Sequence, residues 1–241
     1  MVTGSGAKRV GNVVARALAA RGFHLVLHAN RSLAEAEETM AELHRDGCQA
    51  IALAADLTDE AAARHFVDSA HQHYGRLDVL VNCAAVWKRV PLEKVTADEV
   101  RRNFEINTLA TFVCSQQAGL KMAAQPTGGV IINIGDWAIV RPYLNYAAYF
   151  PSKGAIPALT RDLAVELAAR NPRVRVNAIM PGPVMLPLDL PPEERAASIA
   201  GTLVKREGSP EHIAHAVLFL IENDFVTGIS LPVDGGRTIA S

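Results

Sequence analysis

The sequence predicts an α/β fold in which helices cover both faces of a doubly wound parallel sheet. Short apolar runs rich in β-branched residues alternate with longer amphipathic stretches almost from end to end, as expected for repeated strand–helix–strand units. A length of 241 residues suits a single domain over 1–241. A glycine-rich turn follows the first strand, a position at which such folds bind ligands.

Seven strands are predicted from the apolar runs. The first is a stub of three residues, so the opening strand is predicted to be truncated. That strand would be central to the sheet, and its loss would leave neighbouring backbone groups unpaired. The predicted strands are Met1–Thr3, His24–Ala29, Ala50–Ala54, Leu77–Val81, Val130–Ile134, Val174–Ile179 and Ile229–Val233.

The first turn, from Thr3 to Gly11, joins the strand stub to a helical run over Asn12–Ala20. Its glycines would let the backbone approach a pyrophosphate, whose charge is favoured by a helix N-terminus. A plain tight turn is the alternative. The position between the first strand and the first helix favours cofactor binding.

The second strand is followed by Arg31, with no acid beside it. NAD-specific sites usually carry an acid here for the ribose 2′-hydroxyl, whereas an arginine accommodates the 2′-phosphate of NADP. Lys8 and Arg9 add positive charge from the first turn. NADPH is therefore favoured over NADH. Ser32 and Glu35 also form a capping-box pattern for the next helix, which is compatible with anion binding.

The third strand is followed by Asp56 and Leu57. The Asp56 carboxylate could accept a hydrogen bond from an adenine amine. Alternatively, Thr58 and Asp59 simply begin the next helix.

Small residues, Asn82-Cys83-Ala84, follow the fourth strand and would leave room for a flat ligand. Trp87 is a candidate to stack on a planar substrate, although a large aromatic side chain more often lies in a core or an interface. A capping box of Thr96 and Glu99 then opens a long helical stretch. Asn107 lies in its middle, where asparagine is a mediocre helix former, so a structural role is the plain interpretation.

The fifth strand leads to Asp136, at the end of a strand where ligands of α/β sheets collect. Tyr149 and Lys153 stand four residues apart, which places them on one face of a helix. An ammonium near a phenol lowers the pKa of the phenol and lets it pass a proton near neutral pH. Pro157 lies inside the same helical pattern, so either the helix bends or it begins later.

The sixth strand is followed by an irregular, proline-rich stretch and a short helical pattern around residues 193–204. We interpret the segment 181–208 as a substrate-binding lid. Ser209 and Pro210 are expected to start the last helix.

The composition excludes several classes of function. A net charge of −1 argues against a nucleic-acid surface, and no apolar run reaches the roughly 20 residues needed to span a bilayer. The three cysteines are widely spaced, and the eight histidines show no ligand spacing, so we expect no metal. Reduced thiols and the absence of a signal-peptide pattern favour a cytoplasmic protein. We expect its partner to be a small-molecule substrate.

Together these motifs resemble the short-chain dehydrogenase/reductase family over essentially the whole chain. The resemblance implies NAD(P)-dependent hydride transfer by a Rossmann-like domain, usually in a homotetramer. It implies that Tyr149 is the acid/base, that Lys153 holds the nicotinamide ribose and lowers the pKa of Tyr149, and that Asn107 supports a proton-relay water. The matching motifs are Thr3-Gly4, Asn82-Cys83-Ala84, Asn107, Tyr149-x-x-x-Lys153, Pro181-Gly182 and Asp234-Gly235-Gly236.

Two departures make the chain similar to the pteridine reductases and dihydromonapterin reductases. Asp136 stands where most members of the family have a serine, and Arg9 stands where the first turn normally has its middle glycine. The motif His28-x-x-Arg31-Ser32 is a further likeness. In those enzymes an aspartate and a tyrosine deliver a proton to a pterin ring nitrogen, while NADPH gives a hydride to the adjacent carbon.

The resemblance also implies the binding residues. Substrate would contact Asp136, Tyr143 and Tyr149, with Trp87 stacking the pterin against the nicotinamide. The cofactor residues would be Gly4, Ser5, Lys8, Arg9, Val10, Asn30, Arg31, Ser32, Asp56, Leu57, Asn82, Cys83, Ala84, Tyr149, Lys153, Pro181, Gly182 and Val184. The chain departs from the pteridine reductases in a first turn one residue longer and in Ala85, which replaces a serine.

The leading hypothesis is therefore an NADPH-dependent reductase of a pterin or a similar planar heterocycle. A reductase of the same family acting on a carbonyl, such as a 3-oxoacyl thioester, is the second. The third is a non-catalytic NADPH-binding module, in which substitution of Asp136, Tyr149 or Lys153 would change neither cofactor affinity nor biological effect.

Overall fold

A computed structural model describes residues 1–240 of the chain. Seven parallel strands form one sheet in the order β3-β2-β1-β4-β5-β6-β7. This is the single-domain, doubly wound sheet that the strand–helix alternation predicts, with β1 inside it between β2 and β4. The strands are β1 Val2–Thr3, β2 Leu25–Ala29, β3 Ala50–Ala54, β4 Val79–Asn82, β5 Gly129–Ile134, β6 Val174–Pro181 and β7 Ser230–Val233.

Eight α-helices cover the sheet. They are α1 Val10–Ala19, α2 Leu33–Arg45, α3 Glu60–Tyr74, α4 Ala97–Phe104, α5 Ala110–Ala124, α6 Tyr149–Ala168, α7 Pro192–Ala200 and α8 Pro210–Glu222. A π-helical turn, Glu105–Leu109, joins α4 to α5. Within residues 1–240, no helix combines the length and the apolar character needed to cross a membrane.

Two apolar cores lie on the two faces of the sheet. One contains Leu18 of α1, Leu43 of α2 and Ile213 of α8. The other contains Phe66 of α3 and Met122 of α5, together with buried residues of α6. The inner strands β1, β2 and β4 are buried on both faces, which explains why they are mostly apolar rather than alternating.

The short β1 pairs with both neighbours through Val2, which lies opposite Leu27 of β2 and Val81 of β4. The expectation that its shortness would leave adjoining groups unpaired is wrong for two carbonyls. The Met1 amino group donates to the Val79 carbonyl at 2.9 Å, and the hydroxyl of Tyr74 donates to the Leu25 carbonyl at 3.2 Å. An amine and a phenol thus take the place of strand pairing.

The predicted helix caps have different outcomes. Ser209 is the N-cap of α8, as predicted. The Thr96 hydroxyl accepts from the Glu99 N–H at the start of α4, but the Glu99 side chain pairs with Lys88, so only half of the predicted box forms. The predicted capping box of Ser32 and Glu35 is absent, because the Ser32 side chain makes no capping hydrogen bond. Its hydroxyl instead lies against the first turn, 2.7 Å from where a Cβ on Gly6 would be.

Helix α6 begins at Tyr149 and continues through Pro157 to Ala168. Of the two interpretations of Pro157, the one in which the helix begins later is wrong. Tyr149 and Lys153 consequently occupy consecutive turns at the start of one helix, directly beside the end of β5.

Candidate active site

The carboxyl ends of the strands open into a cleft of about 1220 Å³. Its volume exceeds the range of about 300–1,000 Å³ typical of sites for one small ligand, so it can hold two ligands side by side. Most of the predicted site residues line it. Those facing the cleft are Gly4, Arg9, Val10, Asn30, Arg31, Ser32, Asp56, Leu57, Cys83, Ala84, Trp87, Asp136, Tyr143, Tyr149, Lys153, Pro181, Gly182 and Val184.

The first turn packs tightly against the end of β4. Gly4 has a φ of +64°, and a Cβ there would lie 2.8 Å from the Ala84 Cα, so only glycine fits. The Thr3 hydroxyl accepts from the N–H groups of Cys83 and Ala84, at 2.9 and 3.1 Å. The turn therefore leaves backbone, rather than side chains, at the cleft floor.

His28 ties three strand ends together, a role that the sequence motif did not reveal. The Gly4 N–H donates to its Nδ1 at 2.9 Å, which leaves Nε2 to donate to the Ala55 carbonyl at 3.0 Å. The ring is 2% exposed, and burial lowers its pKa from the ordinary value of 6.5. A neutral imidazole thus holds the first turn in place.

One end of the cleft carries exposed cations. Arg9, Arg31 and Arg102 line it, together with Asn30. We call this the Arg31 end. The Asp56 carboxylate accepts from the Thr58 hydroxyl and N–H, and these bonds lower the pKa of Asp56, with a further lowering from the charges of Arg31 and Arg102.

Three of the predicted cofactor residues do not line the cleft. The hydroxyl of Ser5 donates to the Val2 carbonyl and accepts from the His28 N–H, so it stabilises the turn from behind. Lys8 is exposed and does not line the cleft. Asn82 is buried and donates to Ser115 and Asn133, which makes it part of an internal polar network.

At the other end, Asp136 and Tyr149 are directly bonded. The Tyr149 hydroxyl donates to Asp136 Oδ2 at 2.8 Å, and the Ala138 N–H donates to Asp136 Oδ1 at 2.8 Å. Burial raises the pKa of Asp136, although both hydrogen bonds and the charge of Lys153 oppose the rise. We call this the Asp136 end.

The expected effect of Lys153 on Tyr149 differs from what the structure shows. Burial raises the pKa of Tyr149 well above its usual value, and the negative charge of Asp136 raises it further. The Lys153 ammonium donates to the Ile134 carbonyl at 2.7 Å, and its own pKa is lowered by burial. Because Asp136 is the bonded partner of the phenol, it outweighs the ammonium.

Asn107 lies behind this pair rather than in the cleft wall. Its Oδ1 accepts from the Val86 N–H at 2.8 Å, and its Nδ2 donates to the Val86 carbonyl and to the Ser152 hydroxyl. The Ser152 hydroxyl in turn donates to the Tyr149 carbonyl at 2.6 Å. Asn107 therefore connects the π-helical turn, the loop after β4 and the start of α6, and both of its amide hydrogens are used.

Aromatic side chains line the Asp136 end. Trp87 stacks on Tyr146 with ring centroids 4.9 Å apart and an angle of 19° between the planes. Tyr143 meets the edge of Tyr146 at 5.0 Å. Since Trp87 is 43% exposed, its second face remains open to a ligand. No sequence pattern distinguishes Tyr146 from Tyr143, which lies in the same loop.

The segment between β6 and α8 closes one wall of the cleft with α7. Glu194 of α7 accepts from Arg89 at 3.1 Å, which bridges this segment to the loop after β4. The N–H groups of Leu203 and Val204 both donate to the Gly235 carbonyl. The segment is thereby attached to the C-terminal tail, from which Arg237 also reaches the cleft.

Comparisons with known proteins agree with this geometry. A family model described as enoyl-(acyl carrier protein) reductase matches residues 6–238. A protein of Streptomyces violaceoruber assigned as ketoacyl reductase 2 of the granaticin polyketide synthase is 36% identical over 245 residues, covering 98% of this chain and 94% of its own. Pteridine reductase 1 of Leishmania tarentolae is 31% identical over 281 residues, covering 99% and 96%.

Among solved structures, a blue fluorescent protein from a metagenomic library, in complex with NADPH, superposes with a TM-score of 0.88. It is 36% identical and covers 98% of this chain and 96% of its own. The family match over nearly the full length, together with these relatives, shows that the chain belongs to the short-chain dehydrogenase/reductase family of oxidoreductases, whose members bind a nicotinamide cofactor.

Proposed function

We propose that this protein is an NADPH-dependent reductase of a pterin or a similar planar heterocycle. The observation that carries the proposal is the 2.8 Å hydrogen bond from the Tyr149 hydroxyl to the Asp136 carboxylate. A carboxylate beside the phenol can accept an N–H of a nitrogen-rich ring and can carry a proton to it, which a serine hydroxyl at this position does less readily.

The cleft fits a dinucleotide. The Gly4 backbone lines its floor, and Arg31 and Ser32 follow β2, where a 2′-phosphate would bind and where the sequence carries no acid. Arg9 would contact the phosphates, and Lys153 would hold the nicotinamide ribose. The NADPH bound by the metagenomic relative supports the same cofactor here.

Protons are handled by the buried residues, while the bound cofactor would supply the hydride. In the proposed reaction protonated Asp136 delivers its proton to the ring nitrogen, and Tyr149 passes its own proton to Asp136. The nearby Lys153 ammonium offsets the negative charge left on the pair. Because these groups are buried close together, a change in the charge of one of them shifts the pKa values of the others.

The substrate is proposed to lie flat on the open face of Trp87, close to Tyr143. The pteridine reductase of Leishmania tarentolae, 31% identical, supports a pterin as the substrate class. The segment 181–208 would act as a lid, with the Arg89–Glu194 ion pair as its contact to the opposite wall. We also propose a cytoplasmic homotetramer, in which an interface between copies would cover exposed residues such as Leu120 of α5 and Val165 of α6. Light scattering would test the oligomer size.

A ketoacyl reductase is the second candidate, because the Streptomyces relative is 36% identical over nearly the whole chain. NADPH oxidation measured with dihydrobiopterin, dihydromonapterin and a 3-oxoacyl thioester separates the two. We expect turnover of at least one pterin. Turnover of the thioester with inactivity on both pterins would overturn the proposal.

The variant Asp136→Ser is a matched test, because it restores the residue that most of the family carries. A pterin reductase should lose most of its pterin turnover in this variant. If thioester turnover rises while pterin turnover is unchanged, Asp136 does not serve a pterin ring.

A further inference from the structure

We propose that Arg237 binds a carboxylate of the substrate, so that the molecule reduced at the Asp136 end carries an anionic group. The inference rests on the proposed function in one respect, since it takes the Asp136 end as the substrate end. It adds a residue from the C-terminal tail that determines which substrates are preferred.

Arg237 reaches the cleft beside the reacting residues. Its guanidinium carbon lies 5.2 Å from the centre of the Trp137 ring, and Trp137 directly follows Asp136. Burial raises the pKa of Tyr143, Asp136 raises it further and Arg237 opposes both effects. The acid and the guanidinium therefore act on the same phenol from within one end of the cleft.

The guanidinium of Arg237 carries an unpaired donor in the part of the chain that the structure describes. Its Nε is shut off from solvent and has no hydrogen-bond acceptor within residues 1–240. The neighbouring arginines are engaged, since Arg89 pairs with Glu194 and Arg141 donates to the Ala240 carbonyl. A buried charged donor without an acceptor is costly, and native proteins keep one where a ligand or an ion completes it.

A carboxylate is the group that a single guanidinium matches best. The planar fork of N–H donors pairs with two carboxylate oxygens at once, and its single positive charge neutralises one carboxylate. A doubly charged phosphate would need a second cation beside it. At the Asp136 end, Arg89 and Arg141 already have acceptors. Among the described residues 1–240, this leaves Arg237 to bind an anion in this way.

Space for Arg237 is kept open by Gly201, at the end of α7. A Cβ at this position would coincide with Nη1 of Arg237. The φ of Gly201 is −76°, an ordinary helical value that any residue adopts. The backbone would therefore accept other residues here. Glycine is needed because the Arg237 guanidinium occupies the space of a side chain.

The test measures, by calorimetry, the affinity of the enzyme–NADP⁺ complex for two matched pairs of ligands. Pterin-6-carboxylate is compared with pterin, and 4-formylbenzoate with its methyl ester. We expect the anionic member to bind about tenfold to hundredfold more tightly in at least one pair. Arg237→Met, which keeps the length of the stem, and Gly201→Ala, which displaces the guanidinium, should both bring the two affinities within a pair close together.

Two results would overturn the inference. One is the absence of any preference for the anion in both pairs. The other is an equal loss of affinity for both members of a pair in Arg237→Met, which would mean that Arg237 only fastens the tail. A preference for 4-formylbenzoate without binding of either pterin would uphold Arg237 and refute the pterin. Binding of both pterins with no anion preference in either pair would do the reverse.

Discussion

The two ends of the cleft present charge in opposite ways. At the Arg31 end, Arg9, Arg31 and Arg102 are exposed, and the fixed part of the site is backbone held by Gly4 and His28. At the Asp136 end, the acid, the phenol and the ammonium are largely buried and bonded to one another or to a backbone carbonyl.

Under the proposed function, this difference assigns cofactor binding to the Arg31 end and the proton chemistry to the Asp136 end. Exposed cations attract an anion at long range, and salt screens that attraction. Buried groups are shielded from salt, and burial shifts their pKa values toward the neutral form. Substitution of one exposed cation at the Arg31 end should therefore lower affinity only in part. At the Asp136 end, loss of a single proton-bearing oxygen should remove the proton that the reaction needs.

Removal of the phenol should have the largest effect. In Tyr149→Phe the ring remains but the proton is lost, so we expect kcat to fall by about 10²- to 10⁴-fold while NADPH still binds. Stopped-flow turnover and a cofactor titration check the two halves of this prediction. A variant that keeps most of its kcat would mean that the Asp136 end is not where the chemistry occurs.

The acid should be the next most sensitive group. Because burial raises the pKa of Asp136, its proton persists to a higher pH than in an ordinary aspartate. Pterin turnover should thus decline as pH rises through that raised pKa. Asp136→Asn should reduce kcat/KM about a hundredfold and abolish this decline. A wild-type pH profile identical in shape to that of the variant would contradict the role of the carboxyl group.

At the Arg31 end the effects should be smaller. Arg31→Ala is expected to reduce the preference for NADPH over NADH about tenfold, and added salt should shrink that difference. Lys8→Ala removes an equally exposed cation of the first turn that does not line the cleft, and its effect should stay below about twofold. Equal losses in the two variants would show that general positive charge, and not Arg31, selects the cofactor.

His28 should make the backbone of the Arg31 end sensitive to acid. The pKa of the buried ring lies below the ordinary value of 6.5, so the unfolded chain takes up a proton before the folded one as pH falls below 6.5. The free energy of unfolding should then drop by up to about 1.4 kcal/mol per pH unit in that window. Urea titrations at several pH values check this. A slope equally steep in His28→Gln would exclude the ring as its source.

The fold was predictable because its inner strands are buried on both faces and are therefore mostly apolar. Leu25–Ala29 and Val79–Asn82 each carry a single polar residue, and all of their residues are buried. The boundary of β4 was missed by two residues for a specific reason. The Gln125 side chain bonds both the N–H and the carbonyl of Leu77, so a side chain replaces the pairing that a strand would make there.

The site was predictable only where a local motif reports it. Asp136 and Tyr149 stand at a strand end and a helix start that the sequence marks, and the structure places them in hydrogen-bond contact. Tyr146 and Arg237 were missed because they reach the cleft from a loop and from the tail, which only the folded chain brings together. The capping box predicted for Ser32 was wrong because the pattern considers only neighbouring residues. The Ser32 hydroxyl instead packs against Gly6, which is far away in the sequence.

The chain contains two tryptophans, Trp87 and Trp137, and both lie in the wall of the cleft. Its intrinsic emission therefore reports from this one region without any introduced label. Reduced nicotinamide absorbs where indole emits, so titration of the unmodified protein with cofactor, and then with candidate substrates, gives an optical record of each arrival. Replacing either tryptophan with phenylalanine would show which of the two responds to the cofactor and which to the substrate.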